Sequence, residues 1–218
     1  MANYETMNNK KNELIRKATD GSVFVDEISS AILETITAGE DSALALPPTL
    51  VSRDLGWLTE DGVAFSGEVA ESAINSWGAT EPTRREVTSD TTSMSVTAQE
   101  TNIVTVGLYT GNDLAALVPD PETGELIVTK PPRPRLKHFR VLALSMDTYE
   151  GEEVYIARYM PRATLARSPE QSFTGGDTAL TWGLTFTSTV DSEAGYSEKF
   201  FFGGPGWKAM LEDMGFTA

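Results

Sequence analysis

From about residue 52 onward, apolar and polar side chains alternate at the period of a β-strand. The clearest case is "TALTWGLTFTSTV". Leu180, Trp182, Leu184, Phe186 and Val190 fall on one side, and Thr181, Thr185, Thr187 and Thr189 on the other. At about 3.3 Å per residue such a strand spans roughly 40 Å. The turn-like "DSEAG" and then "YSEKFFF" follow it, so the pattern predicts a long hairpin.

"LKHFRVLALSMDTYEGEEVYIARYM" reads as two strands joined near Glu150-Gly151, and "GELIVTK" as a further strand. "REVTSDTTSMSVTAQE" is rich in β-branched residues and alternates at Met94 and Val96. In "DLGWLTEDGVAFSGEVAESAINSWG", Asp61-Gly62 between strand-like runs predicts a hairpin turn.

Helical signals are fewer. Thr97 and Glu100 fit a capping box, which predicts a helix to about Tyr109 stopped by Gly111. Trp207, Met210, Leu211 and Met214 at helical spacing before Gly215 predict a short closing helix. Ile28, Ile32 and Ile36 between Asp26 and Gly39 suit either a helix or an extended arm. Pro47-Pro48 interrupts any regular element. The expected organisation is an N-terminal arm over residues 1–43 and a domain over 44–218. That domain is mainly β (α+β), with one or two helices packed on a sheet.

Composition narrows the function. Of 218 residues, 40% are hydrophobic and 22% charged, as in a globular protein. No stretch has the roughly 20 apolar residues of a membrane helix, and the N-terminus lacks the apolar core of a signal peptide, so folding in a cytoplasm is expected. There is no cysteine and a single histidine, His138, which excludes disulfides, thiolate sites and a multi-histidine metal site within one chain. The 32 acids against 17 basic residues give a formal net charge of -15, which disfavours gripping nucleic acid through its phosphates. A protein that lies close to DNA without sticking would carry the same charge.

Candidate chemistry is thin. Glu152-Glu153 and Glu212-Asp213 are sequence neighbours in a chain full of acids, and solvated surface accounts for both. His138 follows Lys137 at a strand start with no nucleophile elbow in the sequence. "GGPGWK" lacks the spacing and the Ser/Thr of a phosphate loop, so it reads as a turn. No catalytic residue, cofactor or metal is expected.

Two basic features stand out against the acidic background. Lys130, Arg133, Arg135, Lys137 and Arg140 fall in an acid-free run through the proline-stiffened "KPPRPR". Arg84-Arg85 closes "SWGATEPTRREVTSD". The basic run reads as a solvated loop, as a docking surface for an acidic partner, the most abundant being another copy of the chain, or, against the surrounding negative charge, as a direct DNA contact; Arg84-Arg85 reads as a solvated hairpin or as a contact between copies. The candidate interface set is therefore Arg84, Arg85, Lys130, Arg133, Arg135 and Lys137.

Taken together, "DLGWLTEDGVAFSGEVAES", "SWGATEPTRREVTSDTTSMSVTAQETN", "LYTG" and "LTWGLTFTSTVD" with "FFFGGPGW" resemble the major tail protein of long, non-contractile phage tails, especially those of phages of actinobacteria. The resemblance runs from about residue 52 to the end, and the first 40 or so residues carry little of it. It implies a tail tube β-sandwich with a flanking helix, built into stacked hexameric rings in the host cytoplasm and resident in the virion tail. It also implies a tape measure protein inside the tube, tail terminator and distal tail proteins at its ends, and DNA passing through without specific binding. Two other classes fit a β-rich chain. One is a carbohydrate-binding β-sandwich module, with Trp57, Trp77, Trp182 and Trp207 as candidate stacking residues; the other is a tail terminator or head decoration protein. Trp182 and Trp207 sit on apolar faces, where core packing explains them.

Overall fold

The computed structural model describes residues 4, 8, 10–129, 136–167, 171–173, 175–177 and 179–217, with the backbone alone at Arg167. The strands are β1 (Asp20–Glu27), β2 (Thr37–Ala38), β3 (Ala43–Leu44), β4 (Leu58–Ile74), β5 (Arg84–Ala98), β6 (His138–Tyr149), β7 (Glu152–Arg167), β8 (Trp182–Ser188) and β9 (Lys199–Gly203). The helices are α1 (Pro48–Val51), α2 (Ile103–Thr110), α3 (Pro205–Ala209) and α4 (Leu211–Met214). The fold is mainly β, as expected.

Seven strands form one antiparallel sheet in the order β1-β6-β7-β8-β5-β4, with β9 branching from β7. The branch has a local cause. β7 pairs with β9 over Tyr155–Tyr159 and with β8 over Ala163–Arg167. Between these parts lies Pro161, which cannot donate to a ladder, opposite a register irregularity between Phe139 and Val141. The strand therefore changes partner where its backbone cannot be continuously paired.

Around β1, β6 and β7 both faces of the sheet are covered. Val23, Val25, Val141, Met160, Met94, Leu184 and Phe186 form one core, closed by Leu55 and by Leu108 of α2. Phe24, Leu142, Tyr155 and Tyr159 form the other, covered by Leu33, Ile36 and Leu50. Pleating explains the division, since neighbours such as Val23 and Phe24 point to opposite faces. Buried Arg140 holds the second cover in place: its Nε donates to the Ile28 carbonyl at 3.2 Å and its Nη2 meets Glu193 Oε2 at 3.4 Å.

Several elements differ from the sequence expectation. Residues 20–27, inside the stretch expected as an arm, are a core strand, and the alternative of a helix over Asp26–Gly39 is not formed. Asp61-Gly62 is not a hairpin turn; Gly62 has φ +64 at a register shift within β4. α2 starts at Ile103, because Asn102 is the cap and accepts from the Thr105 amide at 2.9 Å. Glu100 instead accepts the Trp57 amide at 2.9 Å, while the stop at Gly111 is as expected.

β8 covers only part of the expected strand and does not form a hairpin with β9. Asp191 takes the amides of Glu193 and Ala194 and redirects the chain to the far side of β7. Residues 125–129, within the stretch "GELIVTK" expected as a strand, pair with no strand of the sheet among the described residues.

Candidate assembly interface

β4 and β5 are the longest antiparallel pair, and only their inner halves touch the core. Met94 and Val96 are buried, whereas from Ser66 to Asp90 every residue is exposed except Pro82. The pairing nevertheless continues to Ile74↔Arg84. The result is a two-stranded ribbon projecting roughly 25 Å beyond the sheet, at about 3.3 Å per residue. Its apolar side chains Val69, Ile74 and Val87 are all more than half exposed, and Trp77 at the tip is fully exposed.

The tip is nonetheless an ordered loop. The Thr83 amide donates to the Ile74 carbonyl at 2.9 Å, Ser76 and Thr83 hydroxyls are 2.7 Å apart, and Gly78 takes a left-handed turn at φ +85.

Arg84 and Arg85 stand on opposite faces of the ribbon, each beside an acid of its own hairpin. Arg84 pairs with Glu86, and Arg85 lies 3.7 Å from Glu71. Both arginine side chains are about two-thirds exposed, so these pairs contribute little and leave the cations reachable. Lys137 is exposed at the foot of β6, far along the chain from the ribbon. Lys130, Arg133 and Arg135 lie outside the described residues. The structure therefore brings Arg84 and Arg85 to one hairpin and leaves Lys137 elsewhere.

Three further surfaces stand out, of which the first two escaped the sequence reading. The first is a groove of about 1350 Å³ between α2, the Leu114 turn and the start of β6, lined by Ile103, Val104, Leu108, Leu114, Leu136 and Leu165 among others. His138 sits on its wall with Nδ1 enclosed and without a hydrogen-bond partner among the described residues. The second is an aromatic ladder on β9. Phe200 and Phe202 are half exposed with their rings parallel at 6.4 Å, and Trp207 stacks on Phe202 at 4.9 Å. Arg158 lies 3.8 Å from the centre of the Phe65 ring and 4.7 Å from that of Phe200, and its Nε meets Glu198 at 2.5 Å.

The third is a hydroxyl face. Ser93 faces Thr187 at 3.1 Å and Ser95 faces Thr185 at 3.4 Å, on the side of β5 and β8 away from the core. Here the alternation of "TWGLTFTS" was legible, and its threonines join strands instead of forming a second core.

Sheet edges differ in protection. The outer edge of β1 is occupied by residues 53–55, with Val25 donating to the Arg53 carbonyl and Leu55 to that of Val23. β4 and β9 each pair on one side only among the described residues.

The sequence motifs set aside as chemically empty have structural uses. At Gly204, φ is +99 and a Cβ would sit 2.5 Å from the Glu153 carbonyl; at Gly206 it would sit 2.8 Å from that of Glu152. The "GGPG" run thus lets α3 lie against the β7 backbone. Exposed Glu153 accepts from the Tyr155 hydroxyl, and burial, with this carboxylate second, pushes Tyr155 up to about 12. Asp213 pairs with Lys11 at 3.0 Å. Trp182 packs edge-on to Tyr109 at 5.1 Å. No group of three or more metal-ligating side chains that could hold an ion occurs among the described residues.

Comparison with known proteins adds one finding. A protein-family model described as phage tail tube protein matches residues 7–197. No curated protein matches the chain.

Proposed function

The chain belongs to the phage tail tube protein family, and from that premise we propose that it assembles into hexameric rings stacked as a hollow tail tube. The observation that carries the reading is the β4–β5 ribbon. It is a long, ordered, regularly paired element with no core of its own, and a free two-stranded hairpin is marginal in water. Such an element gains stability when a neighbour covers it.

The one-sided strands β4 and β9 supply edges along which sheets of adjacent copies continue, and ring closure then removes exposed edges. Arg84 and Arg85, together with the basic run containing Lys130, Arg133, Arg135 and Lys137, lie at contacts with acidic neighbours in this reading. Six copies carry a formal charge of about -90 per ring, and acids facing the lumen keep DNA phosphates off the wall. The tape measure protein occupies that lumen first, with terminator and distal tail proteins at the tube ends. The role is structural, not catalytic, and its place is the virion tail, after assembly in the host cytoplasm.

The test is negative-stain electron microscopy across a concentration series, with light scattering in parallel. Hollow tubes or stacked rings are expected. Single rings that never stack would point to a terminator, and monomers that stay monomeric even with preformed tail tips would overturn the reading.

A further inference from the structure

Asp-Gly occurs twice in the chain, at Asp20-Gly21 and at Asp61-Gly62, and both aspartates are exposed. In this dipeptide the glycine amide nitrogen is unhindered by a side chain and can attack the aspartate Cγ, closing a five-membered succinimide ring. We propose that Asp61 is a modification site, at which the main chain rearranges spontaneously to isoaspartate, and that the sheet holds Asp20 against the same reaction.

The reaction needs no partner but water. The bond from Gly62 N to Asp61 Cγ forms, and the carboxyl hydroxyl leaves with the amide hydrogen as water. Water then adds back at either imide carbonyl. Cleavage of the new bond restores aspartate. Cleavage of the original peptide bond leaves the chain running through the side-chain carbons, with a free α-carboxylate and the same charge.

Ring closure requires the peptide after the aspartate to rotate toward its side chain, which a paired strand opposes and a bulge permits. In β4, Leu58 stands opposite Ala98 and the next paired residue, Val63, opposite Val96, so Thr59, Glu60, Asp61 and Gly62 face Thr97 alone. Gly62 has φ +64, and a Cβ built there would meet nothing within 4 Å. The bulge therefore has room to turn the amide and to take up one more main-chain carbon.

Asp20-Gly21 is the internal comparison. The Gly21 amide donates to Asp20 Oδ1 at 2.7 Å, so the two groups already lie close. Yet Asp20 pairs with Met146 and Gly21 with Ser145. The residues before them are tied as well: the Thr19 amide donates to the Met146 carbonyl at 2.9 Å and the Lys17 amide to Asp147 Oδ2 at 3.1 Å. A Cβ at Gly21 would sit 2.8 Å from the Leu144 carbonyl oxygen, so this backbone has no space in which to turn. Closing the ring there first requires the strand end to open, and that opening slows the reaction by its own free energy.

The test ages the full chain in warm, near-neutral buffer, folded and in urea. Peptides are mapped by electron-transfer fragmentation, which separates isoaspartate from aspartate. Rates in urea normalise for sequence context. The folded-to-unfolded rate ratio is expected to be about tenfold or more higher at residue 61 than at residue 20. Asp61→Glu abolishes the product at that peptide, because its ring would have six members. Asp61→Asn speeds product formation, because ammonia leaves more readily than a carboxyl hydroxyl. Similar ratios at the two sites, a higher ratio at residue 20, or no isoaspartate at residue 61 in the folded chain overturns the proposal. The tail tube reading stands whether or not the site reacts.

Discussion

Excising the outer ribbon separates folding from assembly. Replacing residues 69–90 by Asn-Gly joins Glu68 to Thr91, which already face each other in the register, through a turn suited to a two-residue hairpin. The deletion removes no member of either core cluster. What it removes are cross-strand pairs worth about 0.2–1 kcal/mol each, two exposed ion pairs worth at most about 1 kcal/mol each, and backbone ordering that costs a comparable amount. These nearly cancel, so monomer stability should change by no more than about 1 kcal/mol, or roughly 2–4 °C in melting temperature for a chain of this size.

Tube formation should be lost altogether under conditions where the full chain polymerises. Thermal melts followed by circular dichroism, with light scattering on the same samples, read both quantities. A fall in melting temperature beyond about 10 °C would show that the ribbon packs on the domain and refute the premise. Normal tubes from the shortened chain would refute its role in assembly.

Three further outcomes follow from the same geometry. Phe186→Ala opens a hole at a fully buried position and should cost about 3–5 kcal/mol, seen as a lower urea midpoint with an unchanged slope. Arg84→Glu with Arg85→Glu places like charges beside Glu86 and Glu71 at exposed sites; the monomer should lose less than about 1 kcal/mol while sedimentation shows no assembly. Asp147 is held below the usual carboxylate value by the amides of Lys17 and Thr148, with Arg16 adding to them. Its contribution is therefore complete above the unfolded value near 3.8 and is lost as pH falls through the lower folded value. The protection factor of the Lys17 amide, which donates to Asp147 at 3.1 Å, should be unchanged at pH 5 and fall only well below about pH 4, and loss of protection already at pH 5 would contradict the assignment.

Much of the sheet was legible because a half-buried strand writes its burial as alternation. β6 and β7 meet at Glu150-Gly151 as expected, with both residues at positive φ. The failures share a cause. "SVFVDE" at β1 does not alternate, because Val23 and Val25 face one core and Phe24 the other, and a short run buried on both faces has no period. Asp61-Gly62 has the chemistry of a turn, and a bulge that needs one left-handed residue uses that same chemistry. The separation of β8 from β9 depends on Pro161 and the partner change it imposes on β7, a long-range fact that no local window contains.

The exposure of the ribbon was hidden for a different reason. Val69, Ile74 and Val87 sit among Glu71, Glu86 and Asp90 much as Met94 and Val96 sit among Ser93 and Ser95, and both stretches read as strand. Only the fold shows that one set is covered and the other is not. An apolar side chain on a free ribbon loses the roughly 25 cal/mol per Å² that burial would return, and the fully exposed Trp77 loses most. A chain carrying -15 resists casual aggregation through self-repulsion, which offsets the exposed apolar side chains of the ribbon. Raising ionic strength should therefore promote association of the free chain while loosening its selectivity for ordered tubes.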